Sequence, residues 1–371
     1  MKVLVTGANG FIGKNLLVRL KEEGIEYDTF VRSDSQSDLV SKVSSCDFIV
    51  HLAGVNRPQN EIGFKEGNTD LTKSIVAVLA DKGLKIPIIH TSSIQAAQDN
   101  PYGVSKKLAE EAMATFSNIS GSAVFNYRLP NVFGKWCKPN YNSAVATFCF
   151  NIINNVPIQI NDPSAVINLV YIDDVVNEFI SLIKGVDAGK KFSSNVFVSP
   201  VYEITVGSLV EKLKSFKESK TSGVIERVGT DLTRALYSTY ISYFKPNQFS
   251  YDLVKHEDPR GVFVEMLKTK DSGQFSFFSA HPGITRGGHY HHSKNEKFLV
   301  IKGTARFGFR HIAMDEYCEI LTCGEVPQVV ETVPGWSHDI TNIGDDEMYV
   351  ILWANEIFEP EKPDTIYHKV K

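Results

Sequence analysis

Residues 2–13 read KVLVTGANGFIG, and the fold turns on what this stretch does. Its first half is an apolar, β-branched run; its second half spaces glycines at 7, 10 and 13 and opens onto the helical pattern KNLLVRLKEEG. A strand that ends in such a turn and enters a helix gathers backbone N–H groups at the positive end of the helix dipole, which suits a pyrophosphate. Gly7 permits the tight turn, Gly10 lets backbone approach the anion, and Gly13 lets helix and strand pack closely. Gly7, Gly10, Phe11, Ile12 and Gly13 are therefore the candidate dinucleotide contacts.

The next strand end, YDTFVRSDS at 27–35, bears on which dinucleotide binds. A carboxylate there holds a ribose 2′-hydroxyl, whereas a cation accommodates a 2′-phosphate. Val31 occupies the expected acidic position and Arg32 follows it, so NADPH (NADP+) is the expected cofactor, with Ser33 as a second phosphate contact. Asp34 leaves an NAD reading open.

Outward from this turn, runs such as CDFIVHLAG and IPIIHTSS alternate with amphipathic stretches to about residue 183. That alternation predicts crossover units and a parallel sheet. Beyond about residue 250 the texture changes to closely spaced pieces, GVFVEMLK, GQFSFFSA, EKFLVIKG, TARFGFRH and MYVILWAN, broken by Gly, Pro and Asp. Antiparallel β structure is expected there. At 371 residues the chain also exceeds the roughly 250–300 at which single cores stop growing. Residues 237–247, YSTYISYFKPN, are the candidate junction, giving expected domains of 1–245 and 246–371.

A formal net charge of −4 supplies no basic excess for a phosphate backbone, so no nucleic-acid partner is expected. Five cysteines without a CxxC pattern read as small buried hydrophobes in a reducing compartment. MKVLVTG lacks a signal-peptide layout and no apolar run approaches the roughly 18–20 residues of a membrane span. The expectation is a cytoplasmic protein with no membrane partner.

The candidate chemistry of the first half lies in HTSS at 90–93 and NPYGVSKKLAEE at 100–111. Tyr102 and Lys106, four apart, share one helix face. An ammonium there stabilises the phenolate and readies the tyrosine proton for exchange with a substrate oxygen, which the hydroxyl of Ser93 can hold. These stretches, with VTGANGFIG, HLAG at 51–54, YRLPNVFG at 127–134 and VYIDDVV at 170–176, resemble the extended short-chain dehydrogenase/reductase family over about residues 1–240. The resemblance implies a Rossmann-like α/β domain, with Ser93, Tyr102 and Lys106 catalytic, Leu52 and Ala53 beside the cofactor, and Asn131 on a substrate diphosphate. Two departures stand out: a short spacing from Ser93 to Tyr102, and no arginine before VYIDD, which leaves Lys135 and Lys138 as candidate phosphate cations.

In the second half, Gly283–Gly303 reads GITRGGHYHHSKNEKFLVIKG. Strand alternation points His289 and His291 to one face and Tyr290 and His292 to the other; Glu296 follows a short turn, and His338 follows the Pro-Gly turn of PGWSHDITN. Three imidazoles and one carboxylate suit zinc, and also nickel, iron, cobalt or manganese. The spacing resembles the first cupin motif, with Gly283, His289, His291, Glu296 and Gly303 in step, and Gly335, His338 and Asn342 resemble the second. An all-β cupin (jelly-roll) domain with a divalent ion, most simply Zn2+, is thereby implied. RGGHYH also resembles the RGxHYQ stretch of deoxysugar 3,5-epimerases, in which the histidine is the base; His289 cannot easily be both base and ligand, and Lys297 or Tyr290 are the candidate helpers.

The whole layout is similar to the CapF/WbjC-type family of bifunctional capsule and O-antigen enzymes. That similarity implies a UDP-sugar substrate, C3 epimerisation of a UDP-4-keto-6-deoxy-N-acetylhexosamine, NADPH reduction at C4 on the route to L-fucosamine, and a homodimer. Three other readings compete with it: a reductase whose barrel only binds sugar or supports the fold, a non-catalytic module whose first domain senses NADP while the barrel reports a ligand, and a redox-neutral NAD-dependent epimerase.

Overall fold

The computed structural model describes residues 1–189, 196–253, 256–258, 261–263, 267–269, 274–356 and 361–371. Residues 264–266, inside one of the expected strands, lie outside the described ones. The chain forms two compact units that interleave in sequence. The first comprises Met1–Phe133, Asn140–Ser143 and Ile167–Glu203; the second comprises Gly134–Pro139, Ala144–Val166 and Ile204–Lys371. The stretch 237–247 thus lies within the second unit.

The first unit is built on a parallel sheet of β1 (Lys2–Thr6), β2 (Glu26–Phe30), β3 (Phe48–His51), β4 (Ile88–Ser93) and β5 (Val124–Leu129), in the order β2-β1-β3-β4-β5. Strands β1 and β3 are buried almost throughout, as expected of parallel strands covered on both faces. Helix α1 (Phe11–Glu22) turns Leu16 and Leu20 inward, while α2 (Gln36–Ser44) starts in a capping box between Ser35 and Asp38. Helix Pro101–Ser120 is fixed at both ends: Asn100 caps it by accepting from Gly103 N, proline begins it, and Gly121 closes it at φ 70°.

The second unit holds two five-stranded antiparallel sheets, the double-sheet architecture of a cupin. One runs in the order Ser250–Asp252, Gln328–Glu331, Glu296–Lys302, Met348–Ala354, Gln274–Ala280. The other runs Tyr317–Cys323, Thr304–His311, Trp336–Asn342, Thr285–Tyr290, Ile366–Tyr367. Helices Ala144–Ile153, Val206–Ser222 and Asp231–Ile241 pack on one another in this same unit. Tyr237 and Tyr240, part of the sequence at the expected junction, are buried there against Phe216, with ring centroids 5.1 and 5.9 Å away.

A buried ionic triad ties these helices to the barrel. Lys297 pairs with Glu331, and Lys220 of helix Val206–Ser222 lies 3.1 Å from the other Glu331 oxygen. Burial alone would depress the Lys297 ammonium, but Glu331, with Tyr237 and Tyr251, holds its pKa well above the usual lysine range. Lys297, a candidate helper of epimerisation, is therefore committed to a structural pair. Removing one partner of a buried pair leaves an uncompensated charge. Glu331→Ala is expected to cost about 3–5 kcal/mol in urea unfolding, several times the loss from cutting an exposed pair such as Arg310–Asp315.

Candidate active site and metal centre

The nucleotide turn of the first unit tolerates only glycine at two of its three positions. Gly7 sits at φ 68°, and a Cβ there would lie 2.6 Å from Ala53 N, at the point where β1 and β3 end side by side. A Cβ at Gly13 would lie 2.4 Å from the Gly7 carbonyl. No side chain caps the N-terminus of α1, leaving its first-turn N–H groups for an anion. These residues fit a dinucleotide phosphate.

At the end of β2, Arg32 and Ser33 are exposed. Asp34 is already engaged: it accepts from Val31 N at 2.9 Å and from Lys42 Nζ at 2.8 Å. Those contacts, the lysine first, hold its carboxyl below the usual range.

Ser93 ends β4, and its hydroxyl accepts from Gln95 N at 3.2 Å. Burial pushes the Tyr102 phenol above its ordinary pKa, and the neighbouring Ser93 hydroxyl opposes that push. Lys106 is buried, donates to the Thr91 carbonyl at 3.1 Å, and is brought down to about 8 by that burial. Space for it comes from Gly54, where a Cβ would stand 3.1 Å from Nζ and 2.9 Å from Asn68 Oδ1. The structure thus gathers all three residues on one strand end and one helix.

Asn68 escaped the sequence reading. It lies on a π-helical turn, Lys65–Asp70, accepts from Val55 N at 2.8 Å and donates to Ser105 Oγ at 2.9 Å, so it braces the helix that carries Tyr102 and Lys106. Its one sequence signal is the polar run GNTD interrupting a helical pattern. Asn131 is exposed and donates to the Asn168 carbonyl at 3.1 Å. Lys135 is buried with its ammonium 5.6 Å from the Trp136 ring, while Lys138 is exposed.

In the second unit the four candidate ligands converge. Ligand atoms of His289, His291, Glu296 and His338 all lie within 4.8 Å of one another. Strand pairing explains this: His289 stands opposite His338, after a bulge at Gly287–His289 that Gly287 allows at φ 98°. Glu296 begins a strand of the facing sheet, so the carboxylate meets the imidazoles across the barrel interior. Tyr290 is buried on the opposite face, against His292 and His368, and is not part of the cluster.

The ring nitrogens and the carboxylate face one another at short range. His291 Nδ1 faces the carbonyl of Asp364, which can only accept, so Nδ1 carries the proton. The Nε2 of the same ring lies 3.2 Å from Glu296 Oε2. Two lone-pair donors at that distance attract only with a proton or a metal ion between them. His338 Nε2 lies 3.4 Å from the same oxygen, inside ion-pair range but outside hydrogen-bond alignment. Both its ring nitrogens are buried without a hydrogen-bond partner among the described residues. Burial drives His289 down to about 3, so it is a neutral donor. This donor set fits a divalent ion; the other Glu296 oxygen is held by Lys294 at 2.7 Å.

Beneath Lys106, His51 and His90 stack with centroids 5.5 Å apart, both fully buried and neutral. Burial takes His90 from 6.5 to about 4 and His51 well below 6.5. Between pH 6.5 and about 4 the unfolded chain binds protons that the fold refuses, so this contribution is complete above 6.5 and lost as pH falls. Thermal midpoints are expected to drop across that window, and His90→Gln should make the decline shallower; equal slopes would contradict the assignment.

Comparison with known proteins agrees with both halves. Residues 3–197 match the NAD dependent epimerase/dehydratase family, and residues 256–366 match the polysaccharide biosynthesis C-terminal domain. The chain is 58% identical over 368 residues, 98% of each protein, to the UDP-2-acetamido-2,6-beta-L-arabino-hexul-4-ose reductase of Pseudomonas aeruginosa. It covers the full length of crystalline CapF from Staphylococcus aureus at 42% identity and a TM-score of 0.67, with all of both chains aligned. A UDP-glucose 4-epimerase of Thermus thermophilus in complex with NAD shares the fold alone, at 17% identity and a TM-score of 0.50 over 58% of this chain and 83% of that one. The chain therefore belongs to the NAD dependent epimerase/dehydratase family, in the CapF-like group that joins this domain to a polysaccharide biosynthesis C-terminal domain.

Proposed function

We propose that the chain is a bifunctional nucleotide-sugar enzyme that epimerises C3 of a UDP-4-keto-6-deoxy-N-acetylhexosamine and reduces C4 with NADPH, giving UDP-2-acetamido-2,6-dideoxy-L-talose. The observation that carries this reading is that both constellations are assembled in one chain aligned end to end with a hexul-4-ose reductase.

NADPH, when bound, supplies the hydride that C4 accepts. Tyr102 donates its phenolic proton to the C4 oxygen, Ser93 holds that oxygen, and the Lys106 ammonium stabilises the phenolate left behind. The choice of NADPH over NADH is supported by exposed Arg32 and Ser33 and by the engagement of Asp34 with Lys42. Gly7, Gly10, Phe11, Ile12 and Gly13 cradle the pyrophosphate, with Leu52 and Ala53 beside it, and Asn131 contacts the substrate.

His289, His291, Glu296 and His338 hold the divalent ion, zinc in this reading, which supplies Lewis-acid stabilisation of oxyanion charge. The C3 proton, acidified by the neighbouring carbonyl, leaves one face and returns on the other. No helix among the described residues is long and apolar enough to cross a membrane, in keeping with a nucleotide-sugar substrate in water.

Incubation of the keto sugar for which the Pseudomonas relative is named, the UDP-linked 2-acetamido-2,6-dideoxy-β-L-arabino-hexul-4-ose, in D2O tests the two halves separately. Without NADPH, deuterium is expected at C3, and a chelator should abolish it. Exchange that survives chelation would make the barrel a binding module. Tyr102→Phe is expected to keep the exchange and cofactor binding while lowering NADPH consumption about 10²–10⁴-fold. Full NADPH consumption by that variant would remove Tyr102 as the acid, and no consumption by the parent chain would favour the redox-neutral epimerase.

A homodimer belongs to the same reading. Val104, Leu108 and Ile119 are 41%, 38% and 83% exposed along one face of helix Pro101–Ser120, a run of apolar surface that a second copy would cover. Leu108→Glu with Ile119→Glu should convert a dimeric mass in light scattering to a monomeric one. A monomeric parent chain would end this proposal.

A further inference from the structure

We propose that Asp364 is a positioning residue for the metal cluster, acting from the far end of the chain on the orientation of His291 and on the turn that delivers Glu296. The inference rests on the metal reading above and deepens it.

Asp364 uses both its side chain and its backbone. Its Oδ1 accepts from His292 N at 2.9 Å, and its Oδ2 accepts from Ser293 N at 2.7 Å, Lys294 N at 2.8 Å and Ser293 Oγ at 3.0 Å. Three successive backbone N–H groups converging on one carboxylate form an anion nest, here filled by a residue about 70 positions downstream. The nest sets the path of residues 292–295, the short turn between His291 and the strand that Glu296 begins. Its backbone carbonyl, meanwhile, accepts the Nδ1 proton of His291. That bond leaves Nε2 as the free donor and aims it at the cluster, the role that outer partners of metal-bound histidines play.

Asp364 is itself held against the barrel. Ile366–Tyr367 pairs antiparallel with strand Thr285–Tyr290, setting Tyr367 opposite His289. His368 N donates to the Gly288 carbonyl at 2.9 Å, and Ser337 Oγ donates to the His368 carbonyl. Strand pairing thus places the residue, and the residue places two ligands.

Loss of such an outer partner typically lowers metal affinity about 10–100-fold. The test uses the full chain with Asp364→Ala and Asp364→Asn, titrated with Zn2+ against a chromophoric chelator and, in parallel, loaded with Co2+ for its visible spectrum. Asp364→Ala is expected to weaken Zn2+ binding about 10–100-fold and to change the shape of the Co2+ bands. Asp364→Asn keeps one acceptor oxygen and should fall between that variant and the parent; if the alanine variant does not fold, it decides alone. A general loss of barrel stability would shift the unfolding midpoint but leave the Co2+ bands of the folded protein unchanged. Zn2+ affinity within two-fold of the parent and an unchanged spectrum in the folded variants would overturn the role of Asp364. A parent chain that binds neither ion would instead overturn the metal reading, and this inference with it.

Discussion

The barrel is organised around one constraint: a carboxylate and three imidazoles converge on a single buried space, a donor set that suits a divalent cation. Glu296 is buried, and burial alone would raise its pKa; the neighbouring histidines, His291 first, hold it well below the usual range instead. Rings contributed by two strands of one sheet therefore have to meet a carboxylate from the facing sheet at fixed distances. The glycines around them serve that demand. Gly283, Gly303 and Gly335 all lie at positive φ, where the chain turns at the ends of the ligand-bearing strands. Gly287, whose Cβ would press 2.9 Å from the His338 carbonyl, lets two ligand strands close on each other.

The reductase unit meets a related problem on a smaller scale. Lys106 is a buried cation whose fixed partner is a backbone carbonyl, so its pKa is free to fall. Lys297 in the other unit is equally buried but has Glu331, and its pKa rises. The contrast separates a lysine held by a backbone carbonyl from one that fastens elements together through a carboxylate. Sequence alone left Lys297 open as a helper of epimerisation because His289 could not easily be both ligand and base, and nothing local marks Glu331 as its partner.

The fold class was legible because each half has a clean period. Strand–helix alternation and the glycine turn at 7–13 lead to the parallel sheet, and closely spaced strands with the Gly283–Gly303 spacing lead to the double sheet. The residues named for each site are gathered by those elements because they sit at strand ends and on one helix face, positions that periodicity can identify. The rest depends on tertiary contacts with no local signature. Asp364 reads as one more acid in a polar tail, and Asn68 as a loop residue. Residues 204–245 meet the barrel through the Lys220–Glu331 pair and through the Ser238 hydroxyl, which donates to the Ser293 carbonyl, and neither contact carries a sequence period.

Under the proposed function, the chemistry itself dictates the order of the two reactions. A proton at C3 is acidic only while C4 is a carbonyl, because the charge released at C3 is delocalised onto that oxygen. Reduction to the alcohol removes the acceptor, and C3 can no longer be inverted by proton transfer. The epimerising site must therefore stabilise an oxyanion without offering hydride, and the reducing site must deliver a proton to the same oxygen. A three-histidine, one-carboxylate cluster and a serine and tyrosine beside a buried lysine answer these two demands with different side chains. In this chain the two sets of side chains stand in two separate compact units.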